Sequence, residues 1–288
     1  MKVELLDFKE LENYPACSGI EFYDDKIYLV GEAATELLVM NKKWKKPGYI
    51  PLFAPIPRKS ADAVMNGLEA MTLLSVDKKP QLLIIGSGTK SSRSQAVLLN
   101  LKTKIPAFLD LGVFYERIKA LGLADLNIEG VAQVYDYLVL VHGGNQSNPD
   151  NYLIITTPDF WNNQKSATLQ TVKIDVDAKA LRGMYISGIS YSDNHEDLFL
   201  TIHTAAGEGK SWLGIIENLY RKIGREKITM RVNQLIDLPA ADPRFAGYTF
   251  EAVCIQSEKD HSMKLHLVAD NTAGKSFLFK IELSDLKG

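Results

Sequence analysis

The chain has 288 residues, of which 46% are hydrophobic and 24% are charged, and its formal net charge is -2 at pH 7. This composition is typical of a globular protein with enough apolar residues for a core. Because the chain lacks a strongly basic charge, we expect neither nucleic acid nor an anionic membrane as a partner. The two cysteines, Cys17 and Cys254, are too few for a disulfide scaffold or a cysteine metal cluster.

The hydrophobic runs are short. YLVLV at 137–141 is among the longest, whereas a membrane helix needs about 20 apolar residues. The first residues, MKVELLDFKEL, carry alternating charges where a secretory signal has an apolar stretch. The sequence as given therefore indicates a cytoplasmic protein, and a periplasmic or secreted one if a signal peptide was removed before residue 1.

A degenerate motif recurs five times along the chain. Each copy opens with a small or acidic residue, then Gly or Ala, then an apolar run. The copies begin at Ser18, Glu69, Glu129, Ser187 and Glu251. Their even spacing is typical of a repeat architecture.

Each copy continues through the same order of strand-like segments. The second segments are KIYLVGE, PQLLIIGSG, DYLVLVHGG, EDLFLTIHT and KLHLVAD. After a polar loop come the third segments, ELLVMN, QAVLLNL, NYLIITT, SWLGIIE and SFLFKIE. Their length and their β-branched and aliphatic composition predict strands separated by turns.

A fourth strand is predicted in copies one to four, as YIPLF, IPAFLDL, TLQTVKID and TMRVNQLIDL. The fifth copy lacks one, and MKVELLDFKEL at the N-terminus has the matching alternation. We therefore predict an all-β protein, a single domain over residues 1–288. It is a five-bladed β-propeller of four-stranded antiparallel blades, closed by the N-terminal strand completing the last blade. Six blades are the alternative, but they would require a sixth copy of the motif. Helical stretches at 110–125 and 216–227 are predicted in the connections.

The repeat resembles that of a known group of proteins. The pair Glu129–Gly130, followed by YLVLVHGGN, is similar to the repeat of the phytase-like and esterase-like propellers and of related uncharacterised bacterial propeller families. Two or three residues carry the resemblance in each copy. In the broader group, which includes the lactonase-like propellers, a glutamate at the start of an inner strand binds a divalent cation. The resemblance thus implies a cation role for Glu, which stands at this place in three copies and is replaced by Ser in two.

The motif openings and the loops after the second strands are predicted to meet at one mouth of the central channel. Glu69, Glu129 and Glu251 are the candidate ligands of a divalent cation, calcium or magnesium. Two alternatives stay open for these glutamates, namely hydrogen bonds to backbone amides that tie the blades together and a direct acid/base role. His142 and His203, placed at matching ends of the second strands in adjacent blades, are candidate bases, or ligands of a metal such as zinc.

Further polar residues are predicted to bind a ligand at this mouth. Lys90 and Arg93 belong to the loop GSGTKSSRS, while Arg58, Arg182 and Arg244 precede inner strands. Asn145, Asp270 and Asn271 follow second strands. An acidic floor with a basic rim suits a phosphorylated or carboxylated small molecule. The alternative for these basic residues is that they are solvated loop charges.

Two functional hypotheses follow. In the first, the protein is a metal-dependent hydrolase of a small phosphoester or lactone, in which the glutamates hold the ion and a histidine acts as base. In the second, it is a non-enzymatic binding or interaction scaffold. Sugar hydrolysis is less favoured, because none of the three tryptophans lies in the predicted mouth. We expect a monomer with a small molecule or ion at the channel mouth.

Overall fold

The apolar segments form antiparallel sheets that surround a common axis as a five-bladed β-propeller. The computed structural model describes residues 1–14, 16–53, 67–76, 79–145, 148–175, 183–204, 210–225 and 230–286. The inner strands contact one another in sequence around the ring, and the fifth contacts the first. The five-bladed prediction is therefore confirmed.

The strands follow the repeat order. The N-terminal strand is β1 (Lys2–Glu10). Blade one contains β2 (Cys17–Tyr23), β3 (Lys26–Gly31), β4 (Glu36–Asn41) and β5 (Gly48–Pro51). Blade two contains β6 (Leu68–Val76), β7 (Lys79–Gly86), β8 (Gln95–Asn100) and β9 (Pro106–Asp110). Blade three contains β10 (Ile128–Val134), β11 (Tyr137–His142), β12 (Tyr152–Thr156) and β13 (Gln170–Asp175).

The last two blades complete the ring. Blade four contains β14 (Met184–Ser192), β15 (Asp197–Thr204) and β16 (Ser211–Ile216). The chain then forms a short strand, β17 (Met230–Arg231), outside this blade before β18 (Gln234–Asp237) completes it. Blade five contains β19 (Tyr248–Lys259), β20 (Ser262–Asn271) and β21 (Ser276–Ser284). Its fourth strand is β1, which pairs antiparallel with β21 from Lys2 opposite Ser284 to Glu10 opposite Phe277. Closure by the N-terminal strand is confirmed.

One predicted strand is divided between two blades. The segment TMRVNQLIDL was expected to form the fourth strand of blade four as a unit. Only β18 does so, by pairing with β16, whereas β17 adds in parallel to β13 of blade three. The segment therefore crosses from one blade to the next, and a local alternation pattern does not specify which edge a strand joins.

Helices occupy the connections, as predicted. They are α1 (Gly112–Ala120), α2 (Leu219–Lys222) and α3 (Leu238–Ala241), with 3-10 turns at Ser91–Arg93, Phe160–Asn162 and Pro243–Phe245. Helix α1 packs Phe114, Tyr115 and Ile118 into the core between blades two and three. In the described part of the chain, no helix is long and apolar enough to cross a membrane.

The hydrophobic core is divided into five clusters, one at each junction between neighbouring blades. This arrangement follows from the strand composition, because strands covered on both faces are apolar on both faces. Cys17 and Cys254 are both buried at the junction of blades five and one, and both are free thiols. The blades are thus held together by apolar side chains.

Close packing near the axis leads to a prediction about Gly188. A Cβ atom at this position would lie 2.6 Å from the Glu251 carbonyl oxygen and 2.8 Å from the Ala252 Cα of the next blade. We expect Gly188→Ala to destabilise the fold by about 1–3 kcal/mol, because overpacking here must push two backbones apart. Gly48→Ala is the matched control, since nothing lies within 4 Å of its Cβ position. Thermal unfolding of both variants tests this, and equal melting temperatures would contradict it.

Candidate functional site

All five inner strands carry a β-bulge at the same place. In each blade, the pairing register between the inner strand and the second strand shifts at the first residue of the repeat motif. The bulged residues are Ser18, Glu69, Glu129, Ser187 and Glu251. A bulge bends the strand and re-aims a side chain. The repeated motif therefore marks a ring of five re-aimed side chains at one end of the axis.

The two serines of this ring tie neighbouring blades together. The Ser18 hydroxyl donates to the Leu68 carbonyl at 2.8 Å, and the Ser187 hydroxyl donates to the Phe250 carbonyl at 2.5 Å. Each acceptor immediately precedes the bulged residue of the next blade. At these two positions the ring has a structural role.

The glutamates of the ring have different partners. Glu69 is 6% exposed, and its Oε1 lies 3.2 Å from Nη1 of Arg93. Glu129 Oε1 accepts a hydrogen bond of 2.6 Å from the side-chain amide of Asn127. Glu251 is partly exposed. Across the described residues, no backbone amide donates to the side chains of these three glutamates. Such amides instead bind Glu21 at the other end of the axis, where Phe22 and Leu73 donate at 2.8 and 3.0 Å.

The three glutamates interact electrostatically with two further acids, Glu32 and Asp270. We call Glu32, Glu69, Glu129, Glu251 and Asp270 the axial acid cluster. Burial, followed by repulsion from Glu32, raises the pKa of Glu69 to about 8, although Arg93 acts in the opposite direction. Burial raises the pKa of Glu251 to about 8, with contributions from Asp270 and Glu32. Burial, and then the charges of Glu69 and Glu251, hold the pKa of Glu129 well above its ordinary value.

Arg93 contacts this cluster and needs a glycine, Gly67, beside it. Its guanidinium bridges Glu69 and Glu32, with Nη2 lying 3.5 Å from Glu32 Oε2. Gly67 lies directly beneath it at a φ of +56°, and a Cβ there would be 2.6 Å from Arg93 Cδ. A residue with a side chain would therefore be strained at Gly67 and would displace the arginine. Lys90, in the same loop, is exposed.

Other predicted ligand-binding residues are engaged in their own loops. Asn145 donates to the Asp125 carbonyl at 3.2 Å, and Asn271 accepts from two amides of the β20–β21 turn. Asp270 accepts from the Ser276 hydroxyl at 2.5 Å, and Arg244 pairs with Asp242 at 2.6 Å. Arg58 and Arg182 lie outside the described residues. Of the predicted ligand-binding residues that the structure describes, Arg93 and Asp270 belong to the acid cluster or contact it.

His142 and His203 do not occupy equivalent positions, and this part of the sequence interpretation was wrong. Gly130 pairs with Val141 in blade three, and the equivalent Gly188 pairs with Thr201 in blade four. His142 therefore matches Ile202, while His203 lies one residue further along. A shift of one residue places a side chain on the opposite face of a sheet.

The two histidines have different surroundings as a result. His142 is fully buried, and its Nδ1 accepts a hydrogen bond of 3.0 Å from the backbone amide of Asn127. Burial lowers the pKa of His142 to about 4. His203 is partly buried, its Nδ1 lies 2.7 Å from the Thr204 carbonyl, and burial lowers its pKa. Both rings are therefore neutral at pH 7.

Two asparagines that the sequence interpretation missed organise the site. Asn127 holds both Glu129 and His142. Asn151 is buried, accepts from the amides of Gly144 and Ile186, and donates to the Met184 carbonyl. Asn127 stands two residues before a motif glutamate, which is a signal that the sequence contains. Asn151 has no such signal.

The acid cluster in this conformation does not form a set of direct ligands for a metal ion. Within the described ranges, no group of three or more His, Cys, Asp or Glu residues is arranged to hold a metal ion. The cluster consists of oxygen donors, which suit hard cations. Its chemistry fits calcium or magnesium better than its spacing does.

The raised pKa of Glu251 predicts a pH-dependent effect of Glu251→Gln on stability. The pKa of Glu251 is about 8 in the folded state against an ordinary 4.5, so its stabilising contribution is present below pH 4.5 and is lost as pH rises to 8. The glutamine variant lacks this loss. We expect its melting temperature to exceed that of the wild type by at least about 3 °C at pH 8, and by less at pH 5.

Thermal unfolding in a series of buffers measures this difference. Glu116→Gln is the control, because the Glu116 side chain is 74% exposed on α1. If the difference in melting temperature between Glu251→Gln and wild type does not change with pH, ionisation of the Glu251 carboxyl does not destabilise the fold.

Comparisons with known proteins found solved structures and one family model that are similar to this chain. The glutaminyl cyclase of Myxococcus xanthus is similar over 98% of this chain and 97% of its own, with a TM-score of 0.55 and 9% identity. The arabinanase of Bacillus subtilis is similar over 94% of each chain, with a TM-score of 0.47 and 10% identity. At such identities the similarity concerns the fold alone. No curated protein matches the sequence. A family model matches residues 13–283, and the chain belongs to this family of unknown function, DUF6929.

Proposed function

We propose that the protein binds a small molecule at the axial acid cluster together with a divalent cation, magnesium or calcium, held by Glu69, Glu129 and Glu251. We further propose that this site hydrolyses a small phosphoester or a lactone. The observation that carries the proposal is the convergence of five acids on one channel end with Arg93 as their cationic partner.

The charge imbalance is the first argument. Arg93 pairs with Glu32 and Glu69. In the described part of the chain, Glu129, Glu251 and Asp270 have no salt bridge to a basic side chain. Carboxylates close to one another raise one another's pKa unless a cation compensates their charge. A bound cation would supply the charge that the protein leaves missing.

The donor atoms are the second argument. Carboxylate and amide oxygens are the ligands that magnesium and calcium prefer, whereas zinc favours histidine and cysteine. The His142 ring is buried and bound to Asn127, which favours the hard cations over zinc. The carboxylates are not arranged as a set of direct ligands, and magnesium usually keeps several of its waters. These observations favour magnesium held partly through water.

The chain also supplies groups for proton transfer and for binding an anion. A carboxylate that binds a cation is ionised, so in this proposal Glu251 serves as a cation ligand and not as a general acid. Arg93 has the geometry to hold a phosphoryl or carboxyl oxygen. A divalent cation would polarise the phosphoryl or carbonyl oxygen of the substrate. His142 and His203, whose pKa values are lowered by burial, stay the candidate bases of this proposal.

The second candidate function is ligand binding without chemistry. It is favoured by the engagement of Ser18 and Ser187 in bonds between blades. The similar solved structures include enzymes, but a shared fold does not transfer an activity. The similarity to phytase-like propellers likewise stays a prediction from the sequence.

Calorimetric titration with magnesium chloride tests the cation site. We expect binding that releases protons and is tighter at pH 8 than at pH 6, because the cation selects the ionised carboxylates. Glu129→Gln and Glu251→Gln should each weaken binding at least about tenfold, whereas Glu116→Gln should not. If neither magnesium nor calcium binds the wild type, or if all variants bind alike, the cation site does not exist.

Hydrolysis assays separate the enzyme from the binding module. We expect turnover of p-nitrophenyl phosphate or a simple lactone with magnesium, reduced about a hundredfold or more in Glu251→Gln because this variant loses a ligand of the cation. Glu116→Gln should retain the wild-type rate. Cation binding without any turnover of these substrates would favour the binding module.

A further inference from the structure

A cavity of about 790 Å³ lies at the end of the inner strands opposite the axial acid cluster. Its lining includes residues 21–23, 72–75, 131–133, 189–191 and 255–258, together with Tyr135, Asp193 and Asn194. We call this the distal cavity. Its size lies within the range of about 300–1,000 Å³ that is typical of small-molecule sites. No member of the axial acid cluster belongs to its described lining.

The lining of the distal cavity carries negative charge. Among the described residues that line it, Glu21, Asp193 and Glu258 are acidic, and none is Lys or Arg. A ligand bearing phosphate or carboxylate would meet charges of its own sign there, whereas a cation would meet charges of the opposite sign. The charge of the lining therefore favours a positively charged ligand.

Two of the three acids are engaged by the protein itself. Glu21 accepts hydrogen bonds from the backbone amides of Phe22 and Leu73, and Glu258 accepts one from the Ser192 hydroxyl. Hydrogen bonds of this kind stabilise a carboxylate without a counter-ion. The charge that a ligand can pair with is therefore that of the third acid, Asp193.

The Asp193 carboxylate is accessible and has no protein partner among the described residues. Asp193 is exposed, and within the described part of the chain its carboxylate accepts no hydrogen bond and forms no salt bridge. Partial desolvation raises the pKa of Asp193, and no basic side chain of the described structure offsets this effect. A cation that enters the cavity can therefore reach this carboxylate and pair with it.

Two tyrosine rings lie beside Asp193. Tyr135 and Tyr191 both line the cavity, and their ring planes meet at 76° with centroids 5.9 Å apart. The Tyr135 hydroxyl donates to the Asp193 carbonyl at 3.1 Å. Burial is the main cause that raises the pKa of Tyr191, and the Asp193 charge adds to it, so this carboxylate is also near the second ring. We call Tyr135, Tyr191 and Asp193 the aromatic corner.

The aromatic corner suits an ammonium group better than a metal ion. The face of a tyrosine ring attracts a cation that lies within about 6 Å of its centroid, and aromatic cages bind quaternary ammonium groups in this way. A metal ion needs several ligand atoms, but no group of three or more His, Cys, Asp or Glu residues in the described ranges is arranged to hold one. One carboxylate beside two rings matches an organic cation.

Tyr135 holds its position at a conformational cost. Its backbone adopts a φ of +51°, which is unfavourable for a bulky residue. The residue is nevertheless 42% exposed, and its ring meets that of Tyr220 edge to face, with centroids 4.7 Å apart. Backbone strain of this kind concentrates at functional sites. An exposed aromatic ring that is fixed by a second ring is expected of a binding residue.

The surroundings of the aromatic corner add to its negative charge. A second cavity of about 900 Å³ shares Asp193, Asn194 and Glu258 with the distal cavity, so the two adjoin. Its described lining also includes four further acidic residues and two basic ones, which are Glu196, Asp197, Glu217 and Asp260, and Arg221 and Lys259. Arg221 is paired with Glu196 at 2.6 Å. Clefts with an excess of one charge raise the local concentration of ligands of opposite charge.

We propose that the distal cavity binds a small organic cation with an alkylammonium group. In this complex the ammonium group lies against the rings of Tyr135 and Tyr191 and faces the Asp193 carboxylate. The remainder of the molecule extends into the cavity along the inner strands. The site is separate from the axial acid cluster and does not depend on the function proposed there.

Saturation-transfer NMR titration of the intact protein at constant ionic strength tests the proposal. The cationic probes are choline and butylammonium. The neutral probe is 3,3-dimethylbutan-1-ol, which has the shape of choline with carbon in place of the charged nitrogen. We expect at least one of the two cations to bind about tenfold or more tighter than the alcohol. If neither cation binds, or if the alcohol binds as tightly as they do, the proposal is wrong.

Asp193→Asn tests the role of the charge with little change in shape. We expect the Kd of the bound cation to rise at least about tenfold, with the melting temperature unchanged because Asp193 is exposed. Glu116→Gln is the matched control on the exposed face of α1, and Glu129→Gln is the control at the other end of the axis. Both should retain the wild-type Kd. Equal affinity in Asp193→Asn and wild type would exclude the aromatic corner as the site.

Tyr135→Asn separates binding from folding. Asparagine tolerates the positive φ of this turn, so we expect a folded variant with a melting temperature equal to or above that of the wild type. Its affinity for the cation should fall about fivefold, since one cation–π contact is lost. Wild-type affinity in this folded variant would contradict the proposed contact between the ammonium group and the ring.

Discussion

The close approach of the five inner strands around the axis is the constraint on which the rest of the structure depends. Each strand is bulged at the first residue of its motif, and the next residue is Gly or Ala. The Glu251 carbonyl of blade five approaches Gly188 of blade four so closely that no Cβ fits between them. The small residue permits the contact, and the bulge re-aims the side chain before it. Fold and site are therefore encoded by the same two positions in each repeat.

The two ends of the axis use carboxyl groups differently. At the motif end, acids face one another with Arg93 as their basic partner. At the other end, Glu21 is held by backbone amides of its own and the neighbouring blade. Hydrogen bonds from amides satisfy a carboxylate without a counter-ion. The first arrangement leaves glutamates with raised pKa values, and the second uses its carboxyl to join blades.

The repeats predicted the fold because each copy is a complete blade, and one copy lacked the strand that the N-terminus supplies. They also predicted which glutamates share one end of the axis. The histidines were misjudged because loop lengths hide the register, and one residue decides which face of a strand a side chain occupies. Asn151 and Glu21 were missed, since their roles depend on amides from another blade. Such pairings arise only after the ring has closed.

The closing strand has a consequence for the order of events during synthesis. Strand β1 precedes every other strand of the ring in the chain, so it is synthesised well before its partner β21. An unpaired strand edge invites association with other chains throughout that interval. Within β1, the charged side chains of Lys2, Glu4, Asp7 and Lys9 remain exposed in the folded protein. Charges of this kind discourage pairing with other chains. The strand that completes the ring is therefore protected against aggregation until β21 is available to pair with it.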